Sequence, residues 1–81
     1  MTQQSFALFD TALGPCGIVW TSRGIAGVQL PEKDEATARK RMAKRHPQAG
    51  ESAPPETVQR IIGGIVALLA GVFQLLMIAV D

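Results

Sequence analysis

One cysteine, Cys16, and one histidine, His46, are the side chains of this sequence best suited to covalent or metal chemistry. A cysteine works as its thiolate, which forms readily only beside a base, a cation or a helix N-terminus. Cys16 follows Pro15 and precedes Gly17 and Ile18, so its sequence neighbours offer no such help. It reads as a half-buried turn cysteine. A thiol and an imidazole can pair as nucleophile and base, but nothing in the spacing of Cys16 and His46 brings them together. Zinc takes three or four protein ligands, and these two residues fall short. His46 reads as a helix C-terminal residue, favourably placed against the helix dipole when charged. The sequence therefore assigns no catalytic residue, no metal ligand and no cofactor.

A third group could touch phosphate: Arg39, Lys40, Arg41, Lys44 and Arg45. Cations of this kind give salt-dependent affinity for a nucleic-acid backbone. Consecutive bases point around a helix and do not form one stripe, and no aromatic residue is interleaved to stack on bases. The cluster reads first as a solvated helix face, and at most as a weak auxiliary surface for DNA phosphates. Trp20, the sole tryptophan, sits among branched residues and reads as a sheet-core side chain.

These residues must be positioned by a small fold. Eighty-one residues allow one domain spanning 1–81, with 47% hydrophobic residues and a net charge of +1. That charge sets up no global field toward nucleic acid or anionic lipid. A single cysteine cannot make an internal disulfide, and the N-terminus has neither a basic n-region nor a long apolar h-region. A reducing cytoplasmic location is the expectation.

Residues 5–12 read as a strand with both faces covered, Phe6 and Leu8 on one and Ala7 and Phe9 on the other. Leu13 to Gly17 is dense in turn residues, Ile18 to Thr21 is a second strand, Ser22 to Gly24 a tight turn, and Ile25 to Leu30 a third strand closed by Pro31. Together they predict an antiparallel meander. A helix is predicted over Glu32 to His46, with Ala36, Ala38, Met42 and Ala43 on its apolar stripe. Its acids come first and its bases last, which suits the dipole. After a polar loop over 48–53, Pro54, Pro55 and Glu56 open a second helix whose apolar face would carry Val58, Ile61, Ile62, Ile65, Leu68 and Leu69.

The last third can be read in two ways. From Ile61 to Val80 there is no charge and one polar side chain, Gln74. Twenty such residues match a bilayer core as one helix, with the basic residues before them on the cytoplasmic side. Punctuation gives the other reading: a helix that stops at Gly71, then a strand over 72–80 that folds back onto the meander. The second reading is adopted. It makes the chain an α+β domain, a three-stranded antiparallel meander plus a C-terminal strand, packed with two helices. An unpaired edge on that last strand would invite a second copy.

The run from Phe6 to Ile18 (FALFDTALGPCGI) resembles the opening strand and turn of the N-terminal domain of methylated-DNA–protein-cysteine methyltransferases. Gly24 to Pro31 is similar to that family's third strand, and Ala53 to Arg60 followed by Ile65 to Gly71 to its next helix. The resemblance implies a ribonuclease H-like scaffold beside a C-terminal catalytic domain. In that family the second domain flips an alkylated guanine out of DNA and takes the alkyl group onto the cysteine of a Pro-Cys-His-Arg motif. This sequence has no such motif and no asparagine. The implied role is a non-catalytic N-terminal domain of a DNA alkyltransferase-like repair protein. Its partner would be the catalytic domain, and it would meet DNA only through that partner. A single-span membrane protein with a basic cytoplasmic head and a stand-alone dimerising module are the alternatives.

Overall fold

A computed structural model describes residues 3–79. The chain runs β1 (Ser5–Thr11), β2 (Gly14–Thr21), β3 (Gly24–Gln29), α1 (Glu35–Arg45), β4 (Gly50–Glu51) and α2 (Glu56–Ala79). The fold is α+β: a four-stranded mixed sheet of order β3-β2-β1-β4 with two helices.

β1 and β2 pair antiparallel along their length, from Ser5 opposite Trp20 to Thr11 opposite Gly14. Their hairpin turn is only Ala12 and Leu13, so Gly14 to Gly17, expected as turn, belong to the strand. Gly14 makes this tight geometry accessible with a φ of +124°, a region that a side chain disfavours. Thr11 ties the hairpin: its hydroxyl donates to the Gly14 carbonyl at 2.7 Å and accepts from the Leu13 amide at 3.2 Å. β3 pairs antiparallel with β2, with an irregularity opposite Val19 and Trp20 that leaves Ala26 without a partner. Ile25 and Val28 therefore lie opposite Trp20 and Ile18. The extra residue breaks strict alternation along β3 and puts Val28 on the same face as Ile25.

The sheet is covered on both sides. Phe6 and Val19 pack with Met42 of α1 on one face, joined by Leu8 and Ala49. Ala7, Ile18 and Trp20 pack with Val58 of α2 on the other, joined by Phe9, Ile62 and Ile65. Asp34 caps α1, accepting from the Thr37 amide at 2.7 Å. The helix thus begins at Glu35, with Glu32 outside it. Ala38 and Met42 are its buried residues, while Ala36 and Ala43 are exposed.

Two expectations are corrected. The fourth strand is β4, a two-residue piece in the expected polar loop, parallel to β1 through Ser5–Gly50 and Phe6–Glu51. The expected strand after Gly71 is helical instead: α2 continues without interruption to Ala79. Val80 and Asp81, the end of that expected strand, lie outside the described residues. One glycine costs a helix about 1 kcal/mol relative to alanine, and Gln74, Leu75, Leu76 and Met77 beyond it are good helix formers. From Val72 to Asp81 no proline or second glycine supplies the reversal that a returning strand requires.

α2 begins where β1 begins, since Pro55 and Thr57 share a depression with Ser5, Trp20 and Thr21. Seven strand residues cover about 20 Å, which a helix crosses in about 13 residues. The sheet is therefore used up near Leu69 and Ala70, the last half-buried positions; residues 71–78 are all exposed.

Candidate functional site

The candidate residues are distributed over different parts of the sheet. Cys16 lies inside β2 and is buried, more so than a turn position implied. Its Sγ is 4.0 Å from the Thr11 hydroxyl and 3.9 Å from the Gly14 carbonyl. Burial pushes the thiol pKa up, and the Thr11 contact opposes that only in part. A neutral, enclosed thiol is a poor nucleophile.

His46 is at the other face. It is the C-cap of α1, with its backbone amide donating to the Met42 carbonyl at 2.8 Å. Its ring lies over Gly27 of β3, with Nε2 about 3.4 Å from where a Cβ would stand. Gly27 pairs with Val19, which faces α1, whereas Cys16 precedes Gly17, whose missing side chain faces Met42. Strand alternation then puts Cys16 and His46 on opposite sides of the sheet. They form no dyad. Among the described residues, no three His, Cys, Asp or Glu side chains are grouped to hold a metal ion.

The basic residues divide into two groups. Arg39 is held by acids, at 3.0 Å from Glu35 and 2.8 Å from Glu51. These hydrogen bonds raise its pKa further and hold the Glu51 carboxyl below its ordinary range. Arg41 reaches Glu32 at 3.4 Å. Lys40, Arg41, Lys44 and Arg45 line one open depression on the surface of α1. The i, i+4 spacing of Lys40 with Lys44 and of Arg41 with Arg45 explains this. Four of the five thus share a surface, contrary to the expectation that consecutive bases scatter. It presents positive charge without any aromatic platform, and such a surface can attract phosphate but cannot read a base.

Sequence reasoning missed Gln29. Its side chain is buried at the end of β3, with Nε2 donating to the Ala38 carbonyl at 2.8 Å. That bond fastens β3 to α1. Its Oε1 has no partner among the described residues. A polar residue closing an apolar strand was the available signal. Asp34 is the cap of α1, and its pKa is lowered, first by the hydrogen bond from the Thr37 amide.

Among the described residues, Cys16, His46 and the basic cluster thus lie apart, and the contacts around them position strands and helices. Comparison with known proteins finds no family model, no curated protein and no solved structure that matches it.

Proposed function

We propose that this chain is a non-catalytic scaffold: the N-terminal domain of a cytoplasmic, DNA alkyltransferase-like repair protein. The observation that carries this reading is the order of elements: strand, Gly-rich hairpin, strand, strand, basic helix, Pro-Pro helix, as in the resemblance described above. The burial of Cys16 is consistent with a domain that leaves the chemistry to a partner. The straight course of α2 past Gly71 removes the expected fold-back, so support rests on residues 5–70. In this role the depression of Lys40, Arg41, Lys44 and Arg45 would add weak, salt-sensitive attraction to DNA bound by the catalytic domain.

The experiment is a domain exchange. Residues 1–71 replace the N-terminal domain of a methylated-DNA–protein-cysteine methyltransferase, and transfer from alkylguanine DNA is followed by intact mass. A soluble hybrid that transfers an alkyl group to its own Pro-Cys-His-Arg cysteine is expected. The chain alone should gain no mass at Cys16. A folded hybrid without transfer, or stoichiometric alkylation of Cys16, would refute the proposal.

A second reading, a single-span membrane protein, draws on α2 itself. Glu56–Ile78 is long and apolar enough to cross a bilayer, and 24 residues reach about 36 Å. However, Val58, Ile62 and Ile65 are packed on the sheet. Spanning with the whole helix would strip the cover from Ala7, Ile18 and Trp20. The described part beyond Ala70, Gly71 to Ala79, covers about 14 Å of a bilayer core of about 30 Å. Carbonate-resistant association with membranes after expression would favour this reading over the scaffold.

A further inference from the structure

We propose that the exposed stretch of α2 from Leu68 to Ile78 is covered by a second copy of this chain, each copy laying this part of its helix in a groove of the other. Two complementary apolar surfaces on the same molecule lead to this. The first is the helix end: Leu68, Leu75, Leu76, Met77 and Ile78 are each more than half exposed. The second is on β3. Val28 and Ile25 pair with Ile18 and Trp20, so they lie on the α2 face of the sheet. α2 packs over β1 and β2 and leaves this strip open, with Ile25 39% and Val28 49% exposed. Leu30 extends the strip one residue past the strand and is 76% exposed. Beside it, a cleft of about 330 Å³ runs between the β2–β3 turn and the start of α2, lined by Trp20, Ile25, Val58 and Ile61 together with polar residues, Arg23 and Thr57 among them.

The dimensions agree. Leu68 to Ile78 is eleven helical residues, about 16 Å. Ile25 to Leu30 is six extended residues, about 16–20 Å. At roughly 100 Å² of exposed surface each, the eight side chains of helix end and strip make up to about 800 Å² available per copy, the per-partner size of a standard interface. Reciprocal exchange is a two-fold contact in which each copy donates and receives, so the assembly closes at two. The expected route to a dimer, the edge of a C-terminal strand, is unavailable because that segment is helical. Its all-round apolarity is what the groove accommodates: one side of the helix meets β3, the other meets α2 of the receiving copy.

The test is sedimentation of the full chain in detergent-free buffer over a dilution series. A mass of two chains that falls to one on dilution is expected. Val28→Lys and Leu75→Lys each alter one half of the contact at an exposed site, and each should shift the midpoint toward monomer by at least tenfold. Ala43→Lys, on the exposed side of α1, should leave it unchanged. Circular dichroism and Trp20 fluorescence report that each variant is folded. Mixing Val28→Cys with Leu75→Cys chains under oxidation should yield the mixed disulfide dimer. A monomer at every concentration overturns the proposal, as does a dimer indifferent to both lysines. Flotation of monomeric chain with phosphatidylcholine vesicles would assign the helix end to lipid and likewise overturn it. None of these outcomes depends on alkyl transfer, so the scaffold reading stands or falls separately.

Discussion

The Met42 thioether methyl of α1 occupies the space above Gly17 of β2, 2.5 Å from where a Cβ on that glycine would be. Leu8 Cδ2 and Gln29 Cβ close the same space at 3.3 and 3.4 Å. The helix approaches the sheet this closely because a glycine lies beneath a long, unbranched side chain.

Gly17→Ala should therefore push aside the Met42 methyl, the far end of a flexible side chain, and should destabilise the domain by about 1 kcal/mol, the low end of the overpacking range. The same change in a Met42→Ala background should cost less, since the methyl that must move is gone. Urea unfolding of the four chains of this cycle gives the coupling. Strict additivity would show that Met42 is not what confines Gly17.

Stability should fall in acid through two carboxylates that hold α1, its cap Asp34 and Glu51 of β4, which pairs with Arg39. Asp34 and Glu51 have pKa values lowered in the folded chain, by the Thr37 amide and by Arg39. Depressed carboxylates contribute above their unfolded pKa and lose that contribution as pH falls through the folded values. Melting temperature should thus be level near neutrality and decline below about pH 5. Both groups are exposed, so the decline should be shallow and weakened by salt. Asp34→Asn with Glu51→Gln should flatten it. An undiminished slope in that double variant would place the acid sensitivity elsewhere.

Cys16 should be slow toward thiol reagents. It is buried, its pKa is raised, and its contacts are Thr11 and the Gly14 carbonyl. Labelling by iodoacetamide at pH 8 should be at least tenfold slower than in urea-unfolded chain. Thr11→Val removes the one contact that favours the thiolate, and should not speed the reaction. Equal rates folded and unfolded would mean that the strand opens readily around Cys16.

The meander, the basic helix and the start of the Pro-Pro helix were legible because each depends on neighbours in sequence. Alternation of Phe6 and Leu8 against Ala7 and Phe9 does place those pairs on opposite covered faces. Gly24 does turn the second hairpin with positive φ. The acid-before-base order does mark a helix, with Glu35 in its first turn and Lys44 and Arg45 in its last.

What the tertiary structure decided is non-local. β4 is two polar residues without an apolar signal, and it exists because β1 offers a free edge across the α1 crossover. The side of the sheet on which Cys16 and His46 fall depends on register, where a shift of one residue exchanges faces. Gly71 looked like a stop because glycine often follows a helix end. Gln74, Leu75, Leu76 and Met77 are good helix formers, and one glycine before them costs too little to end the helix. The apolar tail kept its helical hydrogen bonds and extended past the sheet.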